Sequence, residues 1–284
     1  MKYPVAIWML AIGAFAIGMT EFVIMGLLPN VARDLDVTVS QAGQLITGYA
    51  LGVAIGGPIL VMLTIKWNRK HLLILLMAIF IVGNLAATFS PSYGYLMTSR
   101  IITSLAHGSF FGIGSILAAS MVSPSKRASA MALMFMGLSM SNILGVPFGT
   151  LIGQGLGWKM TFAVIAVIGT IALIGIIVLV PSQKEQIQSS VINELKVLKD
   201  KRLWLTLAIT LFGFSSVFAY FSYISEVLTD VSGVPENLIS YILIIFGIGV
   251  TLGNVVGGKL ADWDVNRALR IIFVLFILYF VALY

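Results

Sequence analysis

Cysteine is absent from this sequence and charge is scarce, and each shortage removes a class of protein. Without cysteine there is no disulfide scaffold and no thiolate metal site. The two histidines, His71 and His107, stand too far apart in the chain to suggest the ligand set of a zinc enzyme, so no metal or other cofactor is expected. Charged residues make up 10% of the chain, where a soluble domain carries about a quarter. Hydrophobic residues make up 59%, so the chain is read as an integral membrane protein, not an enzyme. The net charge of +6 does not point to nucleic acid, because the basic side chains gather on no single face or tail. Rings of like charge or a carbonyl filter, which a channel needs, are missing as well.

What is present is a succession of apolar runs, each about 20 residues or longer, enough to cross a hydrocarbon core of about 30 Å. They predict an all-α membrane protein with spans near 4–28, 42–65, 72–89, 95–122, 128–157, 160–180, 203–228 and 238–260, and a ninth running to Tyr284. The first run lacks a small-residue cleavage site and is read as an uncleaved span. Ser40 is a plausible N-cap for the second helix, whose Gly48, Gly52 and Gly56 have the spacing that lets helix backbones approach. Helix three, whose one strongly polar group is Asn84, and helix six are expected to face lipid. Trp158 and Lys159 resemble an interfacial anchor. Helix seven carries Ser215, Ser216, Tyr220, Ser222, Tyr223, Ser225 and Glu226 and reads as cavity lining.

Residues 182–202 form the one sustained polar stretch and separate a first unit, 1–181, from a second, 203–284. Within it Val191, Leu195 and Leu198 fall at helical spacing, which fits either a short amphipathic helix on the membrane surface or a flexible linker. Of the 17 Lys and Arg, all but Arg33, Arg100 and Lys159 fall at the N-terminus or in the loops after even-numbered helices. The positive-inside rule therefore predicts a cytoplasmic N-terminus. Sliding the chain so that Gly52 falls on Gly249 also brings Gly56 onto Gly253, Tyr49 onto Phe246 and Lys70 onto Arg267. Two parallel six-helix halves would need about 390 residues and twelve spans, so about nine of twelve are expected here, with an incomplete C-terminal half.

Polar groups inside these spans are costly, about 3 kcal/mol for an arginine even on an insertion scale, and they mark function. Arg100 and His107 lie in helix four and Glu21 in helix one. At 1.5 Å per residue, Glu21 lies about 12 Å from Pro29 at the helix-one end, within the depth band that Arg100 and His107 occupy. Glu21 is therefore the expected partner of Arg100. Helix five is broken by Asn142 and a run containing Gly145, Pro147 and Gly149, residues suited to close packing and a local bend.

Four stretches resemble the major facilitator superfamily, in particular its drug:proton antiporter-1 group, which includes arabinose-efflux-permease-like proteins. Met19 to Gly26 with Pro29 resemble the first-helix motif, and Arg100 to Gly108 the helix-four motif. Asn142, Gly145, Pro147, Gly149 and Gly153 resemble the glycine-proline antiporter motif, and Gly258, Leu260, Ala261, Asp262 and Arg267 the loop motif after helix eight. The loop motif after helix two is degraded to Lys66, Arg69 and Lys70.

The resemblance implies a monomeric secondary transporter of a bacterial cytoplasmic membrane. It would export a small organic solute, such as a drug, sugar or metabolite, in exchange for protons by alternating access. A proton-independent facilitator, or a truncated fragment that transports nothing, is the alternative. Glu21, Arg100 and His107 are the expected proton-coupling residues. Asn142, Phe218, Tyr220 and Tyr223 are candidates for the substrate cavity. Gly145, Pro147, Gly149, Arg69, Lys70 and Asp262 are candidates for gating.

Overall fold

A computed structural model describes residues 3–64, 66–182 and 199–283, all built from helices and their connections. In chain order these are α1 (Val5–Asp34), α2 (Val39–Leu63), α3 (Arg69–Thr88), α4 (Tyr93–Ser120), α5 (Pro124–Leu156), α6 (Trp158–Leu179), α7 (Lys201–Ser222), α8 (Glu236–Trp263) and α9 (Val265–Leu283). Seven helices among the described residues, α1 to α6 and the 236–253 part of α8, are long and apolar enough to cross a membrane. The helices α7 and α9 occupy the ranges expected for spans seven and nine but are not among those seven. The amphipathic segment expected within 182–202 falls almost entirely outside the described residues.

The first helix is the axis of the bundle. Its Ile7, Leu10, Ile17, Val23, Ile24, Leu27 and Leu28 are fully buried, and α2, α5 and α6 pack around it. Sequence reasoning ended this helix before Pro29, but it runs on to Asp34. A proline inside a helix strands the carbonyl four residues earlier. Here that carbonyl is Met25 O, and it accepts a hydrogen bond from Ser225 Oγ at 2.9 Å. The next helix starts at Val39, and its N-cap is Thr38, whose side chain accepts from Gln41 N at 3.1 Å, rather than Ser40.

Two spans widen in mid-course into a π turn, at Gly52–Gly56 in α2 and Ser141–Gly145 in α5. A proline follows each by two residues, Pro58 and Pro147. Such widened turns beside a proline are common sites of a local bend.

Close helix contacts follow the small residues. Gly48, Gly52 and Gly56 of α2 face Met97, Ser104 and Leu105 of α4, and Gly57 meets the backbone of Gly108. In α5, Gly145 and Gly149 pack on Met19 and Val23 of α1, and Gly153 packs on Leu27.

Two expectations for the first six helices need correction. Asn84 does not face lipid: it is buried, and its Oδ1 accepts from Thr20 Oγ1 of α1 at 2.8 Å while its amide donates to Phe80 O. One face of α3 and one face of α6 are buried, at Leu73, Leu76 and Phe80 and at Phe162, Ile165 and Ile176, while Val82 and Leu85 of α3 and Val167, Ile171 and Ile174 of α6 are exposed, as a lipid-facing side would be. Trp158 is buried as well, and its indole nitrogen donates to Asp34 Oδ2 at 3.0 Å, so it fastens α6 to the end of α1 instead of anchoring in the interface.

The segment after α7 breaks at Tyr223, continues for one turn at Ile224–Glu226 and ends in a π turn at Val227–Val231. It leads to the contact of α8 with α1 and α5. Arg33 pairs with Glu236 at 2.7 Å, and Gln154 Nε2 donates to Glu236 O at 3.0 Å. Ser240 donates to Gln154 Oε1 at 3.4 Å. Deeper along the same contact, Gly247 of α8 meets the backbone of Asn142 and Ile143. Toward the opposite end, Leu205, Leu211 and Phe212 of α7 are exposed and Gly249 and Gly253 of α8 face open space. The N-terminal part of α8 therefore packs on α1 and α5 at the end of the bundle that carries the α1–α2 connection.

Candidate functional site

Three helices bring the intramembrane polar groups together. Arg100 is the largest fully buried side chain, 2% exposed. The expected ion pair with Glu21 is not formed: no oxygen of Glu21 comes within 4.0 Å of the guanidinium among the described residues. Instead Arg100 Nε donates to Leu45 O at 3.2 Å, and Nη1 donates to Thr20 O at 3.3 Å. Its Cζ sits 4.6 Å from the centroid of the Tyr49 ring, a cation–π distance. The helix four residues before Tyr49 and the residue just before Glu21 thus supply the carbonyls that hold the cation, and Glu21 still lies within range of its charge.

His107 lies one face along α4, two turns after Arg100. Its Nε2 stands 3.9 Å from Glu21 Oε2, and its Nδ1 stands 3.1 Å from the Tyr49 hydroxyl. Phe111 covers the ring at a centroid distance of 5.3 Å. Ser104, between Arg100 and His107, is buried against Gly52 and bonds within its own helix to Ile101 O. The structure therefore gathers all three expected coupling residues into one cluster, with Arg100 and His107 buried and Glu21 partly exposed, and with the histidine, not the arginine, as the near neighbour of the carboxylate.

Tyr49 is the member that sequence reasoning missed. It is 2% exposed and touches both Arg100 and His107. The available signal was a tyrosine amid the α2 glycines Gly48 and Gly52, and in the internal match it pairs with Phe246.

A short step around α1 leads from Glu21 to Phe22, which lines a cavity of about 190 Å3 between α1, α5, α7 and α8. Its other walls are Leu138, Ser139 and Asn142 of α5, Val217, Phe218 and Phe221 of α7, and Phe246 and Val250 of α8. Phe221 and Phe246 are stacked with centroids 4.2 Å apart, and Phe22 and Phe218 stand 5.9 Å apart. The described lining contains no charged side chain; its polar groups are the Ser139 hydroxyl and the Asn142 amide. Asn142 Nδ2 makes a bond to Leu138 O at 3.3 Å, which leaves its Oδ1 as an acceptor without a partner in that bond.

Of the four residues expected to line a cavity, Asn142 and Phe218 do so. Tyr220 is packed against the core, and Tyr223 turns its hydroxyl end onto Gly43 of α2. A second recess, about 550 Å3, opens beside the Arg33–Glu236 pair and includes Asp36, Glu226 and Asp230.

The gating candidates separate as well. Gly145, Pro147 and Gly149 lie at and after the α5 π turn, where they pack on α1. Lys70 Nζ donates to Ile177 O at 2.7 Å, so it closes the end of α6 within the first unit. Arg69 opens α3. The side chain of Asp262 lies outside the described residues. Among the described residues no group of three or more His, Asp or Glu side chains could hold a metal ion.

The family described as Major Facilitator Superfamily matches residues 10–284. YtbD of Bacillus subtilis strain 168, an uncharacterized MFS-type transporter, is 44% identical over 98% of this chain and 72% of its own length. The inner membrane transport protein YdhP of Escherichia coli K12 is 43% identical over 95% of this chain and 69% of its own. The chloramphenicol resistance protein of Streptomyces lividans is 31% identical over 91% and 67%. Among solved structures, a bacterial homolog of the human lysosomal transporter Spinster superposes with a TM-score of 0.72 at 16% identity, over 93% of this chain and 62% of that one. This chain thus spans about two thirds of the length of the proteins it matches.

Proposed function

Because the chain belongs to the major facilitator superfamily, we propose that it is a secondary transporter exchanging a small, uncharged and largely apolar solute for protons. The observation that carries this reading is the adjacency of two unlike sites on α1. Phe22 faces an aromatic cavity between α1, α5, α7 and α8, and Glu21, the next residue back, faces the buried cluster of His107, Tyr49 and Arg100. A carboxylate in such a place can hold or release a proton according to how much water and how much positive charge reach it. Any movement of α1 that reshapes the cavity also moves Glu21 relative to His107.

The solute class follows from the walls. Four phenylalanines and three aliphatic side chains favour an aromatic or apolar body, and the Asn142 amide and Ser139 hydroxyl serve one or two hydrogen bonds. An ion entering this space would meet no opposite charge among the described residues, which disfavours charged solutes. The likeness to a chloramphenicol resistance protein supports export as the direction. The concentration of basic residues in alternate loops supports a cytoplasmic N-terminus in a bacterial inner membrane. In that orientation the contact around Arg33 and Glu236 closes the outer side and the cavity is reached from the cytoplasm. The protein works as a monomer in this reading, with residues 1–181 and 203–284 as its two units and 182–202 as the cytoplasmic connection.

The test is proton movement in proteoliposomes loaded with a pH-sensitive dye, with neutral aromatic solutes and with sugars and amino acids as controls. Solute-triggered proton flux that Glu21→Gln abolishes is the expected result. Solute movement with no proton flux would make the protein a facilitator, and the absence of any movement would make this chain a non-transporting piece.

A further inference from the structure

The imidazole of His107 stands between two groups with opposite demands, the Tyr49 hydroxyl on Nδ1 and the Glu21 carboxyl on Nε2. A neutral imidazole has one N–H, and whichever nitrogen bears it is decided by the partners. Two features favour the same answer. The Arg100 guanidinium lies over the Tyr49 ring at 4.6 Å and draws electron density from it, which makes the phenol a better donor and a poorer acceptor. The carboxyl of Glu21 at 3.9 Å favours a proton on the nitrogen that faces it. The charged or titratable groups facing the ring are Glu21 from α1 and Tyr49 from α2, with Arg100 of its own helix reached through the Tyr49 ring; Phe111 also packs on the imidazole.

We propose that Tyr49 is a positioning residue that donates its hydroxyl proton to His107 Nδ1 and so fixes the Nε2–H tautomer aimed at Glu21. In that tautomer the Nε2–H favours the ionised carboxylate, a stronger acceptor than the protonated carboxyl. The reverse tautomer would present a bare Nε2, which favours protonated Glu21. Tyr49 thereby sets the pH at which Glu21 takes up its proton, through a residue it holds and not by touching Glu21 itself. The transport consequence rests on the antiport reading, but the tautomer does not.

The protein has two histidines, so His71→Gln, at the exposed start of α3, leaves His107 as the single imidazole for 15N NMR of the full chain in bilayers. The expected spectrum shows a protonated Nε2 and a bare Nδ1. Tyr49→Phe is expected to reduce the ratio of that tautomer to the other about tenfold, the worth of one hydrogen bond. A protonated Nδ1 in the unaltered cluster overturns the proposal without recourse to any Tyr49 variant, and so does an unchanged ratio in a folded Tyr49→Phe protein. In proteoliposomes the pH midpoint of solute-driven proton flux is expected to move upward in Tyr49→Phe, and an unmoved midpoint would reduce Tyr49 to a packing residue. If solute moves with no proton flux while the Nε2–H tautomer is found, the antiport reading fails and the tautomer assignment stands.

Discussion

Ser225 donates a hydrogen bond to the carbonyl of Met25 at 2.9 Å, and that carbonyl is the one Pro29 leaves without a helical partner. The two residues lie 200 positions apart, so a local defect in α1 is repaired from the segment that follows α7. A repair of this kind makes one substitution conditional on another.

Ser225→Ala is expected to destabilise the protein by about 1 kcal/mol, since hydrogen bonds between membrane helices contribute about 0.6–2 kcal/mol. In a Pro29→Ala background the N–H of residue 29 returns to Met25 O, and the same Ser225→Ala change is expected to cost far less. Thermal or denaturant unfolding of the four proteins in one detergent gives the coupling directly. Equal costs in both backgrounds would show that the serine does not compensate for the proline.

Seven of the nine expected spans and the intramembrane charges were legible in the sequence because they depend on composition alone: about 20 apolar residues suit a hydrocarbon core, and an arginine among them is conspicuous. What holds that arginine was not legible. Thr20 O and Leu45 O are backbone atoms, and a sequence shows charges but no carbonyl directions. Glu21 was the natural partner by charge, yet two carbonyls and the Tyr49 face surround the guanidinium first. Asn84 was hidden by its aliphatic neighbours, because one inward amide bonded to Thr20 changes neither the hydropathy nor the period of α3. Pro29 was read as a stop because its remedy, Ser225, is remote in sequence.

Arg33 and Glu236 form the most direct ionic contact between α1 and α8, at 2.7 Å, but with side chains 65% and 48% exposed. An exposed pair contributes about 0.2–1 kcal/mol, so its loss should change the population of the closed end by no more than about fivefold. Glu236→Arg is expected to shift spin-label distances between Asp36→Cys and Asn237→Cys toward longer values, which is simple to label in a cysteine-free protein. Adding Arg33→Glu should restore the short distances by re-forming the pair in reverse. If the double exchange merely adds the effects of its parts, the contact is a bystander to closure.

Gly247 and Gly249 of α8 offer a sharper contrast, since they differ by two positions and by everything that surrounds them. A Cβ on Gly247 would meet the backbone oxygen of Asn142 and the Ile143 Cα at 2.7 Å, whereas Gly249 has nothing within 4 Å. Alanine in place of glycine in a helix interior stabilises by about 0.5–1 kcal/mol when there is room. Forcing a methyl against backbone costs about 1–3 kcal/mol, because backbone at the α5 π turn cannot rotate aside as a side chain would. Gly249→Ala is therefore expected to raise the melting temperature slightly, and Gly247→Ala to lower it and to lengthen the same Asp36→Cys to Asn237→Cys distance as α8 is pushed off α5. Equal tolerance at both positions would mean that α8 does not sit on Asn142, and the cavity that Asn142 and Phe246 share would have to be drawn differently.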